Sequence, residues 1–242
     1  MAVANTSRAN ELFVAGGTAT MSITPAGALR ALIILYAAYT GSADPTGIGS
    51  VTVGGNAATK IVETIYSARG VTAAFYYLNP PKSALTVIAN VGTSIQTGYN
   101  WRASVYALSG VNLSAPIGEY GVYTTSSPSY QFTNAQIGGM TFAVCRNTVN
   151  GDGTWAIGAH EIAYLQYSYT YHGYSNPLTV TNPLCSANST GTERGYVAVA
   201  VNPGVASSFI PKYSIFFDKK LNWDWLKKGG LWVPNNNGLV TA

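Results

Sequence analysis

Apolar and polar positions alternate with a period of two through most of this chain, and clusters of Gly, Pro and Asn interrupt the alternation every ~8–12 residues. Met21 to Thr24 reads as a first short strand. Leu29 to Tyr39 is a near-continuous apolar run, bounded by Thr40-Gly41 and the Asp44-Pro45-Thr46-Gly47 turn, and reads as a buried strand. Ser50 to Val53 predicts a strand, Gly54-Gly55-Asn56 a hairpin turn, and Ala58 to Tyr66 the return strand. Arg69-Gly70 turns the chain into Phe75 to Leu78, an aromatic strand that ends at Asn79-Pro80-Pro81. A residue before proline is pushed toward extended geometry, which is the expectation for Asn79. Two prolines cannot lie inside a ladder, so pairing stops there and a stiff corner carries the chain between sheets. Leu85 to Val91 resumes with Leu85, Val87, Ala89 and Val91 on one face.

Trp101 to Ser109 alternates and is broken by Gly110-Val111-Asn112; Ser129 to Phe132 is short, and Gly139 to Asn147 is strong. Asn150-Gly151-Asp152-Gly153 predicts a hairpin with Thr154 to Ala163 as its partner, and Tyr164 to Tyr171 continues extended. Arg194 to Val201 is the last core strand, closed by Asn202-Pro203-Gly204. No amphipathic helix of convincing length and no repeat of fixed period stands out. The pattern is that of an all-β antiparallel sandwich over residues 21–205, with an N-terminal arm at 1–20 and a C-terminal extension at 206–242 for assembly contacts.

Composition changes this picture in one respect. Charged residues are 9% of the 242, against a usual fraction of about 25%. A free monomer solvates its surface with charge, so this surface is either covered by other protein or made polar by Ser, Thr, Asn and Tyr. The net charge is +4, but 13 Lys and Arg, five of them between Lys212 and Lys228, make no dense footprint for nucleic acid. Met1 to Asn5 lacks the basic and apolar regions of a secretory signal, and the run from Ala31 to Tyr39 is too short to span a bilayer. The expectation is a chain made in a cytoplasm, soluble or assembled. Cys145 and Cys185 form no C-x-x-C pair; two buried thiols are the favoured reading, and a single disulfide stays open.

Leu32-Ile33-Ile34, then Ser50 to Lys60 through Gly54-Gly55, then Phe75 to Pro81, then Ser104 to Val111 follow one another in an order that resembles a jelly-roll-like β-sandwich domain of phage virion proteins and bacterial surface proteins. The likeness spans about residues 30 to 205, and its motifs are structural. It implies a single jelly-roll-like sandwich with no catalytic residues. It departs at Lys82-Ser83-Ala84, where a glycine usually follows the Pro-Pro corner. With no tandem array and no signal peptide, the resemblance points to a virion component rather than a bacterial surface protein.

Catalytic signatures are absent from the sequence pattern. The nine acids are spread thinly and no local pair marks a glycosidase. His160 and Glu161 are neighbours on an alternating strand and face opposite sides; neither His160 nor His172 has metal-ligand spacing. Asp152 is a hairpin residue. No nucleophile elbow or P-loop occurs. Neither a cofactor nor a metal is expected.

Two aromatic clusters carry the candidate binding residues. Tyr167, Tyr169 and Tyr171 share one face of an extended segment, where they could stack on sugar rings, form a subunit contact, or simply pack across a sheet. Lys219 to Lys228 and Leu231 to Pro234 hold three of the five tryptophans, after the sandwich has ended. Trp223, Trp225 and Trp232 must pack on their own domain, a neighbouring subunit or a membrane interface; the neighbouring subunit is favoured, with Lys227 and Lys228 at its rim. The sequence therefore predicts a non-enzymatic virion structural protein of a tailed phage. A capsid decoration (cement) or head-fibre subunit comes first and a tail or baseplate component next. Its partners would be other virion proteins and itself as a homo-oligomer, with no nucleic acid. A carbohydrate-binding or host-adhesion module, with a surface glycan as partner, is the alternative.

Overall fold

The computed structural model describes residues 1–14, 18–39, 47–66, 70–91, 100–124, 129–147, 154–155, 170–188, 194–204, 215–218, 223–228 and 231–235. Every regular element among them is a β-strand, and the chain divides into two compact units, Met1–Gly204 and Val205–Ala242.

The first nine strands are β1 (Ala4–Val14), β2 (Thr18–Ile23), β3 (Ala31–Tyr39), β4 (Ile48–Val53), β5 (Asn56–Ala57), β6 (Thr59–Tyr66), β7 (Gly70–Leu78), β8 (Leu85–Val91) and β9 (Asn100–Ser109). They form a five-stranded sheet of order β1-β9-β3-β7-β6 and a four-stranded sheet of order β2-β8-β4-β5, antiparallel throughout. The first strand lies beside the last, and the chain passes back and forth between the sheets: this is jelly-roll topology. The next seven strands are β10 (Ile117–Tyr123), β11 (Ser129–Gln131), β12 (Met140–Asn147), β13 (Thr154–Trp155), β14 (Thr170–Tyr174), β15 (Leu184–Asn188) and β16 (Arg194–Val201). Their sheets run β10-β16-β12-β14 and β11-β15-β13. With β10 in the place of β1, β12 of β3, β14 of β7 and β16 of β9, the strand order repeats. The jelly-roll sandwich expected from the sequence is present, twice in tandem.

The four sheets of these rolls stack as layers with three cores between them. In β3, Leu32, Ile34, Tyr36 and Ala38 face the outer sheet of the first roll and pack on Met21, Val51, Val53 and Val87. Its other face, Ala31, Ile33, Leu35 and Ala37, meets Met140, Phe142 and Val144 of β12 and Val197, Val199 and Val201 of β16. The second roll closes on Ala143, Cys145, Tyr196 and Ala198 against Phe132, Leu178 and Cys185. Sheets buried on both faces must be apolar at successive positions, which explains the unbroken apolar run of β3. The outer sheets are wet on one side, and β2 accordingly alternates buried Ala19, Met21 and Ile23 with exposed Thr20 and Ser22.

Four expectations change. Most of the stretch expected to be an arm is sheet: β1 pairs with β9, and β2 with β8. An edge strand is half exposed, so β1 reads as polar although its backbone is laddered. The tight turn at Gly54-Gly55 closes β4 only on the two residues of β5; β6 crosses to pair with β7, because Ile61 and Val62 belong to the core between the rolls. Asn79 is left-handed (φ 53°) rather than extended. Asparagine tolerates that region, and the Asn79 N–H donates to the Arg30 carbonyl (2.9 Å) where the chain leaves β7. Thr154 and Trp155 pair with β15, while β12 lies between β14 and β16; the turn at 150–153 expected to join β12 to Thr154 lies outside the described residues.

In the second unit, β17 (Ile215–Asp218), β18 (Trp223–Lys228) and β19 (Leu231–Asn235) make a three-stranded antiparallel meander. No helix among the described residues is long and apolar enough to cross a membrane.

Candidate functional site

The seam between the two rolls is where the fold concentrates its unusual chemistry. Its middle is apolar and aromatic: the Tyr106 ring lies 5.3 Å from Phe142 and 5.4 Å from Tyr174. One end is pinned by backbone. Val3 donates to the Gly138 carbonyl (2.7 Å), Asn112 to Asn202 (3.0 Å) and Gly204 to Gly110 (2.6 Å), beside a Val111–Pro203 bridge. The approach is so close that a Cβ on Gly110 (φ +72°) would strike the Ala2 carbonyl.

The opposite end is polar. Ser104 of β9 and His172 of β14 stand 2.6 Å apart, Oγ to Nδ1, both fully enclosed. Ser104 also hydrogen-bonds the Tyr106 hydroxyl. The His172 Nε2 meets no hydrogen-bond partner among the described residues. Arg102 (4% exposed) and Arg146 (3%) occupy seam-facing positions by strand alternation, as does the buried Thr72. Burial first, and the Arg102 charge second, push the His172 imidazole down to about 3. Burial likewise pushes the Tyr106 phenol up to about 12.

Along the flank of the seam runs an open groove of about 510 Å³, walled by Lys60, Ile61 and Tyr76 on the first roll and Ile117, Glu119 and Tyr120 on the second. Lys60 is paired with Glu63 at 2.7 Å. Glu119 accepts hydrogen bonds from the Tyr130 hydroxyl and from the N–H groups of Thr133 and Asn134, each at 2.9 Å. Burial alone would raise the Glu119 carboxyl, but these bonds outweigh it and hold it below its ordinary range. Tyr120 (52%), Val122 and Tyr123 on the edge strand β10 are exposed.

The residues singled out from the sequence fall elsewhere. Register in the C-terminal meander sets Trp225 opposite Pro234 and Lys227 opposite Trp232, so positions 223, 225, 227 and 232 belong to one face and Lys228 to the other. Tyr171 stands opposite Cys145 in β14, whereas Tyr167, Tyr169, His160, Glu161 and Asp152 lie outside the described residues. Cys145 and Cys185 are buried thiols that form no disulfide. Burial pushes the Cys185 thiol up to about 12, against its hydrogen bonds with Tyr196 and Thr141. No group of three or more His, Cys, Asp or Glu able to hold a metal is found among the described residues. Sequence reasoning missed the seam cluster. The available signal was an arginine inside each of two otherwise apolar strands, Trp101–Ser109 and Gly139–Asn147.

No family model matches the sequence, and no curated protein matches it. Among solved structures, the chain is similar to the crystal structure of the major capsid protein P2 from bacteriophage PM2, with a TM-score of 0.28 and 11% identity over 83% of this chain and 98% of that one.

Proposed function

We propose that this chain is a non-enzymatic structural protein of a phage virion, acting as a building block of its coat. The observation that supports this reading is the tandem of jelly rolls whose interiors are filled with apolar side chains and whose seam is apolar through its middle. Jelly rolls serve viral capsids, lectins and cupins. Here the space a cupin would use for its ligand is occupied by core. The low charge content fits a surface largely covered by neighbours, and the tryptophans and lysines at 223–232 are the segment assigned to those contacts.

The test is quantitative mass spectrometry of purified particles, with the protein located by electron microscopy. A coat subunit is among the most abundant proteins, and particles do not form without it. A decoration subunit is dispensable for particle formation. Specific hits on a glycan array, with few copies per particle, would instead support an adhesion module.

A further inference from the structure

We propose that the seam is an acid-operated hinge: protonation of His172 separates the two rolls at the polar end, while the Gly110–Gly204 end keeps them joined. The geometry is asymmetric. At one end lie the chain junction and the backbone bonds from Val3, Asn112 and Gly204. At the other, the Ser104–His172 hydrogen bond at 2.6 Å crosses from one roll to the other among the described residues. His172 sits where a proton is hard to accommodate. Among the described residues the charged and titratable groups on the same seam face are Arg102 and Tyr106 on β9, Arg146 on β12 and Tyr174 on β14, with Thr72 of β7 and apolar side chains of β3 and β16 beside them. A proton on the ring adds positive charge beside Arg102 in a fully buried site, where charge is costly.

The direction follows from linkage. In the closed seam His172 is held down to about 3, and once opened to water it returns to about 6.5. The closed state is therefore fully favoured above pH 6.5 and loses that advantage as pH falls toward 3. Opening rises up to tenfold per unit, about a hundredfold between pH 7 and pH 4.5. Neither roll interior contains this group, and the Gly110–Gly204 end keeps the rolls joined, so both stay folded while the polar end parts. This inference does not depend on the virion reading.

A thiol in the seam tests it. In Thr72→Cys, the new thiol reports opening through its reaction with dithiodipyridine, which retains reactivity in acid. Cys145 and Cys185, buried in the second roll, report unfolding in the same molecule. Relative to a free thiol, the residue 72 rate should rise about a hundredfold from pH 7 to pH 4.5, with Cys145 and Cys185 unchanged. Adding His172→Gln should flatten the rise. Constant protection at residue 72, all three thiols opening in step, or an unchanged rise in the double variant would each overturn the proposal. If Thr72→Cys does not fold, hydroxyl-radical labelling of the full wild-type chain replaces it. Tyr106 and Tyr174 at the seam should then gain label in acid while Tyr36 and Tyr196, inside the rolls, should not; equal labelling of all four overturns it.

Discussion

The two rolls share a strand order but differ in how they are filled. The outer sheet of the first roll is broad, and its core is aliphatic: Met21, Ile23, Val51, Val53, Val87 against Leu32, Ile34 and Val105. Among the described residues the outer sheet of the second is β11, β15 and β13, and its core mixes alanines with two thiols, Tyr196 and Phe132. The first roll also carries β6 beyond β7, where the second ends at β14 among the described residues. What stays alike is the inner sheet, apolar on both faces. The comparison teaches that the rolls repeat their connections and share one seam, while the filling of their own interiors differs.

The strongest way to break that comparison is Phe142→Ala. It empties a ring packed on Tyr106 and should cost about 3–5 kcal/mol. Denaturant melts should show a single transition; two resolved transitions would mean that the rolls stand independently. Acid comes next. His172 contributes stability that is present above pH 6.5 and lost as pH falls toward 3, so about 2–3 kcal/mol should disappear between pH 7 and pH 4.5. Chemical denaturation of wild type and His172→Gln at both pH values would check it, the variant showing the smaller loss.

A smaller effect sharpens the account of the second roll. Glu119→Gln keeps the shape of the side chain but weakens its acceptance from Tyr130, Thr133 and Asn134, and should cost about 1 kcal/mol by urea midpoint. Because that carboxyl is held low, its contribution should be intact at neutral pH and fall away only as pH drops below the ordinary carboxylate range. The smallest effect belongs to the second unit. Removing residues 205–242 should shift the melting temperature of Met1–Gly204 by no more than about 2 °C. Assembly should nevertheless be lost, as read by sedimentation. Failure of the truncated chain to fold would place those residues in the core.

Much of the first roll was legible. The run from Leu29 to Tyr39 reads as a buried strand, and the strand after the proline corner has the predicted bounds, Leu85–Val91. The corner does carry the chain from one sheet to the other. The tandem was not legible because it repeats connections rather than residues. Its traces are local: Asn79-Pro80-Pro81 after β7 and Asn176-Pro177 after β14. Equivalent backbone bonds run from Asn79 to Arg30 and from Ser175 to Thr141. The seam was hidden for a different reason. Alternation assigns a residue to a face but not to the sheet that face will meet, and Ser104 and His172 are 68 residues apart. The groove at Tyr76 and Tyr120 escaped in the same way.

The pairing of β1 with β9 fixes when this molecule can fold. Ala4 is matched to Ser109 and Val14 to Asn100, and Val3 bonds Gly138. At ~5–20 residues per second, a ribosome that has made β1 takes roughly 5–20 seconds to deliver its partner. During that interval the opening strand has both backbone edges unsatisfied, and β2 waits in the same way for β8. Synthesis thus leaves a long strand without its neighbour in a crowded cell, the condition under which holding chaperones capture chains and copies of one chain pair with each other. For this protein, that waiting time adds a kinetic hazard to which the stability of the finished rolls is no guide.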